Sequence, residues 1–291
     1  MKTPSLRHRL LQQERLNFLL TNRIPRITTT LLMGWFSALR SPTLTRWSIR
    51  IWKWFSPDLN LAESPPKTYQ SLQECFTREL LPGMRVVNPD PDLFCSPSDA
   101  IVGAHGPVHG TEVFQAKGFP YLLEELCGSA DVVEPFRDGY YVTLRLTAGM
   151  YHRFHAPHDC SVSGVTYISG DAWNVNPIAL KHVKKLFCRN ERALIHTQLD
   201  RGGWPILLVP VAAILVASIR LKFADVHLHL RYQGPNDIPV QTHLQKGQEM
   251  GWFEHGSTIL VFAPKGFSLA SGVTPGMRIK QGQALLQLPP T

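Results

Sequence analysis

Trp252-Phe253-Glu254-His255-Gly256-Ser257-Thr258-Ile259-Leu260-Val261-Phe262 is the stretch from which the rest of the chain can be read. Its β-branched and aromatic run predicts a buried strand, with a serine hydroxyl at the strand's mouth and a glycine carbonyl directly before it. Glycine has no Cβ, so it can adopt the strained geometry in which the next residue's Oγ reaches its carbonyl carbon. Attack there exchanges the amide for an ester, and β-elimination then leaves dehydroalanine, which hydrolyses to a pyruvoyl group. Only a residue with a leaving group on Cβ can follow that route. Gly-Ser-Thr is also an ordinary turn running into a strand, and the tripeptide alone leaves both readings open.

The chain has 291 residues and 44% apolar content, enough to bury a core in one large or two modest domains. Five cysteines without a Cys-x-x-Cys pair suggest neither a disulfide framework nor a four-thiolate metal site, and fit a reducing compartment. The net charge of +8 is local: residues 1 to 60 carry ten Lys/Arg against two acids, and the remainder is balanced at twenty against twenty. That segment also holds Trp35, Trp47, Trp52 and Trp54. Basic side chains among interfacial aromatics suit an anionic membrane surface, at about 1 kcal/mol per Lys/Arg. No nucleic-acid-binding motif accompanies the charge.

Leu6, Leu10, Leu11, Leu16, Phe18, Leu19 and Leu20 approximate a helical stripe ending before Ile24-Pro25. Ser41-Pro42 reads as the cap and first position of a second helix, with Leu44, Trp47, Ile51, Trp54 and Phe55 on one face. That face can lie in a membrane interface or pack on the protein's own core. The apolar run Ile206 to Ile219, broken by Pro210, is too short to span a bilayer and reads as two buried strands. The N-terminus lacks the apolar block of a signal peptide, and its Arg-rich, acid-poor character is compatible with a mitochondrial transit peptide.

Ser64-Pro65-Pro66 predicts a boundary between a basic, amphipathic helical region, 1–63, and a catalytic region, 64–291. Past a helix over Tyr69 to Leu80, short strands dominate, with short helices over Tyr121 to Cys127 and Pro177 to Phe187. The pattern is α+β with a mainly antiparallel sheet. The tail from Val273 to Leu286 looks like a hairpin of biotinyl or lipoyl carriers, from which barrel-like packing is expected.

Tyr151-His152-Arg153-Phe154-His155-Ala156-Pro157-His158 is the richest polar stretch. Three histidines at steps of three could hold zinc within a helical turn, although Pro157 argues against a continuous helix. Ser96-Pro97-Ser98-Asp99, taken alone, reads as a turn whose aspartate bonds its own backbone.

Several of these segments together resemble the phosphatidylserine decarboxylase proenzymes: Cys75 to Arg85, Ser96 to Val102, Gln115 to Gly118, Tyr151 to Pro157, Gly170 to Pro177, Leu186 to Arg192, Val209 to Ile219, and Gln245 to Thr258. They run in the family's order from about Tyr69 to Phe262. The resemblance implies self-cleavage between Gly256 and Ser257 into a β chain, 1–256, and an α chain, 257–291, that begins with a pyruvoyl group derived from Ser257. It implies that His155, oriented by Asp99, is the base for cleavage and that His152 serves decarboxylation, with no metal. It further implies phosphatidylserine as substrate and phosphatidylethanolamine as product, a heterodimer of the two chains that could assemble further, and no nucleic-acid partner. The expected location is peripheral, on the cytoplasmic side of the cell membrane, or on the mitochondrial inner membrane in a eukaryote. Ala100 and Ala212 stand where the family carries glycine, and His255 where leucine is typical. Other readings are a decarboxylase of another amino-acid-headed lipid or of a soluble amino acid, an uncleaved membrane-surface member of the family, and a zinc enzyme using the three histidines.

Overall fold

The structure, a computed structural model, describes Phe18 and residues 24–116, 119–215, 218–254 and 257–290. The leucine stripe before Pro25, apart from Phe18, lies outside these residues, as do His255 and Gly256. An eight-stranded antiparallel sheet organises the rest. Its order is Asp237–Leu244, Cys160–Ile168, Arg192–Leu199, Pro205–Ala212, Ser257–Ala263, Tyr140–Arg145, Ala100–Pro107 and Arg278–Ile279. The strand opened by Ser257 is thus central, and all seven of its residues are buried.

Period two decides which side each residue serves. Ile259 and Val261 join one apolar cluster, with Val142, Leu144 and Leu208. Leu260 and Phe262 join the other, with Val209, Val211 and Tyr141. A strand buried on both faces reads as a continuous apolar run, which is why Ile259 to Phe262 shows no alternation.

A four-stranded antiparallel sheet, ordered Val226–His229, Ser218–Leu221, Glu249–Phe253, Arg153–His155, carries the histidine stretch. The tail does not close a barrel. Arg278–Ile279 is a two-residue edge strand on the large sheet, and Ala284–Gln287 pairs with Leu93–Cys95 and Ser268–Leu269 in a separate three-stranded sheet. The large sheet therefore stays open, with Asp237–Leu244 at its other edge. The barrel-like packing expected of the tail is replaced by this split, because the tail's strands are too short to bridge the two edges.

Among the described residues, three helices with defined bounds stand before the sheets: α1 (Arg26–Ala38), α2 (Pro42–Phe55) and α3 (Leu72–Phe76). Ser41 caps α2, its hydroxyl accepting from Leu44 N at 3.4 Å, with proline at the first position. The apolar face of α2 points outward: Trp47, Ile51, Trp54 and Phe55 are each more than half exposed. Its inner side is held by Thr45, whose hydroxyl donates to Gln70 O, and by Trp52, stacked on Phe76 of α3 at 5.6 Å. This inverts the usual amphipathic helix, whose apolar stripe faces the core. Helix α1 was not foreseen, since Pro25 reads as a stop after the leucine stripe. In the structure Pro25 is the N-cap of a new helix.

The N-terminal helices are tied to the sheets rather than tethered by a loose linker. Arg26 pairs with Asp171 and lies over the Trp173 ring at 3.6 Å, and Thr30 Oγ1 accepts from Leu215 N at 3.1 Å. Asp58 accepts a short hydrogen bond from the Thr147 hydroxyl. A Cβ built on Gly149 would lie 2.5 Å from Asp58 Oδ1 and 2.8 Å from Leu59 N. Only glycine allows that approach.

Candidate active site

Ser257 stands opposite Ala212 on one neighbouring strand, and its carbonyl accepts from Leu146 N at 2.9 Å, so its backbone is fixed from both sides. The side chain is fully buried, and Oγ has no hydrogen-bond partner. Buried hydroxyls almost always find a partner, because leaving one without costs about 1–3 kcal/mol. Thr258 Oγ1, next in the chain, is buried without a partner too; what sets Ser257 apart is the glycine before it in sequence. Ala100 and Ala212, where the family carries glycine, both lie in regular strands and outside the positive-φ region, so alanine fits there without strain.

The two histidines are separated by their strand. Arg153–His155 pairs with Glu249–Phe253 so that Arg153 faces Trp252 and His155 faces Glu249. His152 therefore sits at the end leading towards Ser257, its carbonyl accepting from Phe253 N at 3.0 Å. His155 lies three residues further back, about 10 Å along the strand. The His152 ring is fully buried, stacked on Phe76 at 4.0 Å, and its Nδ1 faces Met150 O at 2.9 Å. A carbonyl only accepts, so Nδ1 carries the proton and the basic lone pair resides on Nε2. Trp52, Phe76 and His152 form a continuous stack from α2 into the site.

His155 has both ring nitrogens engaged, Nδ1 by Gly247 O at 2.9 Å and Nε2 by the Tyr151 hydroxyl at 3.1 Å. Burial pushes its pKa below the ordinary histidine value, against the raising effect of the Gly247 carbonyl. Burial likewise raises that of Tyr151, so the phenol keeps its proton and donates to Nε2. The result is a neutral imidazole in a defined tautomer.

Asp99 is 8% exposed, on the loop before the Ala100–Pro107 strand. Its carboxylate accepts both Nε (2.7 Å) and Nη2 of Arg85, and Gln281 N at 3.0 Å. Arg85 also holds Glu63 at 2.8 Å. Burial works to raise the Glu63 carboxyl, but Arg85 and Lys280 outweigh it and hold the pKa low. No hydrogen bond joins Asp99 to His155. They are linked through the backbone, His155 N donating to Pro97 O at 2.8 Å, and through Tyr151, whose ring faces the Arg85 guanidinium at 5.8 Å. A cavity of about 280 Å³ opens here, with Arg78, Arg85, Arg278 and Lys280 against Asp58, Glu63 and Asp99. Arg85 and Tyr151 stood inside the quoted motifs without a role. Arg85 meets Glu63 and Asp99 across 22 and 14 residues, whereas Tyr151 meets His155 only four residues on, with no helix between them to announce it.

His158 turns away: Nε2 faces Pro91 O at 3.0 Å and Nδ1 faces Asp159 O at 3.3 Å. The three histidines have separate partners, and no metal-holding cluster of three His, Cys, Asp or Glu occurs among the described residues. A second cavity, of about 210 Å³, lies between α1 and the four-stranded sheet, lined by Gly34, Trp35, Ser218, His227, His229 and Glu254. Burial acts to raise the Glu254 carboxyl; His227, 3.6 Å away, and the Ser218 hydroxyl at 2.8 Å hold it low.

A buried serine without a hydrogen-bond partner, at the head of the central strand and preceded in sequence by glycine, fits the pyruvoyl class of self-processing enzymes. The phosphatidylserine decarboxylase family matches residues 72–287. The chain is 32% identical over 283 residues to the phosphatidylserine decarboxylase proenzyme of Erwinia tasmaniensis, covering 94% of each chain. It is 33% identical over 279 residues to that of Shewanella amazonensis (91% of this chain, 96% of the relative). With the Brevibacillus brevis proenzyme it shares 32% over 271 residues (91% and 95%). This chain belongs to the phosphatidylserine decarboxylase family. No described helix is long and apolar enough to cross a membrane.

Proposed function

We propose that this chain cuts itself between Gly256 and Ser257 and, as the resulting pair of chains, decarboxylates phosphatidylserine to phosphatidylethanolamine. The observation that carries the reading is the Ser257 hydroxyl, fully buried and without a hydrogen bond at the head of the central strand. The pyruvoyl group made from Ser257 supplies a ketone that takes up the substrate amine and serves as an electron sink for loss of carbon dioxide.

The chain's own residues do the rest. His155, its Nδ1 proton fixed by Gly247, is the base for cleavage once Nε2 is released from the Tyr151 hydroxyl and the ring swings towards Ser257, with Asp99 held nearby by Arg85. His152, at the Ser257 end of its strand, returns a proton to the decarboxylated carbon. The four basic side chains of the Asp99 cavity suit a phosphodiester.

Residues 1–63 dock the enzyme on an anionic membrane, with 64–291 as the catalytic region. Eight of the eleven exposed large apolar side chains among the described residues lie on α1 and α2. A patch of that kind, with Arg46, Arg50 and Lys53 beside it, fits the headgroup boundary on the cytoplasmic side. The cavity between α1 and Glu254 then gives a headgroup a way in from that surface.

Intact mass of the purified protein tests the reading. Two fragments split at Gly256–Ser257, the smaller without a free amine, together with release of phosphatidylethanolamine from phosphatidylserine vesicles, are expected. A single full-length mass on folded protein would overturn it.

A further inference from the structure

Glu191 is a carboxylic acid with 0% exposure; neither of its side-chain oxygens makes a hydrogen bond of normal length, and the Tyr167 hydroxyl beside it donates instead to His229 O at 3.2 Å. It precedes the Arg192–Leu199 strand, and its carbonyl accepts from Ala212 N at 2.8 Å. Ala212 in turn stands opposite Ser257. Glu191, Ala212 and Ser257 thus form one row across three adjacent strands. The row lies on one face of the sheet. Arg192 and Val211, the next residues along, turn to the other face, where Arg192 donates to Leu126 O at 2.7 Å. Two buried polar groups without partners therefore share a face, with only a methyl group between them.

Distance decides what they can do. Directly opposite residues on neighbouring strands place their Cβ atoms about 5 Å apart, so Glu191 and Ser257 are about 10 Å apart at Cβ. A carboxyl and a hydroxyl reaching towards each other span about half of that, leaving about 5 Å. This exceeds one O–H···O contact and matches two in series at about 2.7 Å each. Glycine in place of Ala212 would leave the same span, whereas any larger side chain would close it.

We propose that Glu191 is a positioning residue for the group at position 257, holding one water between its carboxyl and the Ser257 hydroxyl and so orienting Oγ towards the Gly256 carbonyl. In the step it assists, a bond from Oγ to the Gly256 carbonyl carbon replaces the bond from the Ser257 nitrogen. The hydroxyl proton ends on that nitrogen. Burial pushes the Glu191 pKa up to about 8, the Tyr167 hydroxyl acting in the opposite direction, so the acid is predominantly neutral at pH 7 and can both donate and accept. The inference rests on Ser257 being the self-cleaving serine.

Structural and functional roles predict opposite stabilities. An acid that serves the fold destabilises the protein when replaced, whereas one kept for function at a cost in stability does the reverse. Glu191→Met fills the site without a polar group; Glu191→Gln keeps a neutral donor and acceptor. Cleavage is followed by intact mass during cell-free synthesis, and Tm is compared in a Ser257→Ala background so that all chains are uncut. We expect Glu191→Met to slow cleavage about tenfold or more while raising Tm, and Glu191→Gln to cleave within about threefold of the parent. Cleavage at the parent's rate in Glu191→Met, or a fall in both cleavage and Tm, would overturn the assignment. An uncut parent chain would sink the reading of Ser257 itself, and this inference with it.

Discussion

Asp99 and Ser257 belong to one catalytic proposal but occupy opposite environments. Asp99 sits in a lattice of charges, accepting three hydrogen bonds from Arg85 and Gln281, with Glu63 and Lys280 beyond. The Ser257 hydroxyl sits in the interior with no protein group hydrogen-bonded to it. The difference separates two ways of using a polar residue. Where the protein supplies the partners, the group holds the structure around it in place; where it supplies none, the group can take a new partner in a reaction.

Mutation should tell the two apart. Ser257→Ala is expected to have the largest effect on function and almost none on folding, giving an uncut 291-residue chain with no decarboxylase activity; residual turnover would contradict the pyruvoyl reading. Asp99→Ala should do the converse. It removes two charge-assisted bonds to Arg85, which keeps Glu63, and leaves Gln281 N without its acceptor, and should cost about 1.5–3 kcal/mol in denaturant unfolding, with cleavage failing as a consequence. If Asp99→Ala folds as well as the parent, the clamp is not structural and the contrast is lost.

The histidines sharpen the comparison. His152→Ala should still cleave but lose about 10²- to 10⁴-fold in turnover, and His155→Ala should remain uncut; exchanged phenotypes would reverse their roles. A smaller effect is expected from pH. The folded pKa of Glu191 is raised, so the folded state binds more protons than the unfolded one between about 4.5 and about 8, and the acid's contribution should fall as pH rises through that window. His155 has the opposite sign. Its folded pKa is lowered, so its contribution falls as pH drops below about 6.5. Unfolding measured across pH in Ser257→Ala, with and without Glu191→Gln, should lose only the first slope.

The smallest change concerns the outer surface. Trp47→Ala with Trp54→Ala should weaken binding to anionic vesicles and leave cleavage in solution untouched.

What could be read beforehand follows a physical division. Local signals were legible: the Ser41-Pro42 cap, the doubly buried strand after Ser257, and the period-two face that brings His227 and His229 to 5.0 Å. Helix lengths were less so. The predicted Tyr69 to Leu80 helix ends at Phe76, and Arg78 turns inward onto the Gly149 and Met150 carbonyls. The predicted Pro177 to Phe187 helix breaks before Lys185, which takes a φ of 54°. Family resemblance gathered Asp99, His152, His155 and Ser257 into one constellation, but neither the Arg85 clamp nor the Tyr151 contact is written in any local pattern. The clamp joins two loops, and the contact depends on the register of the Arg153–His155 strand that carries His155.

That register also governs what a cut at position 256 would leave behind. Residues 257–290 supply the centre of the large sheet, its far edge and the middle of the three-stranded sheet. Once severed, such a piece is woven into the whole and cannot peel away as a ligand would. Yet the nicked protein, if unfolded, would have to find its other half by diffusion. Folding becomes a history: achieved once by a continuous chain, and afterwards dependent on concentration, so that dilution after denaturation should trap two incompetent pieces where the uncut precursor recovers.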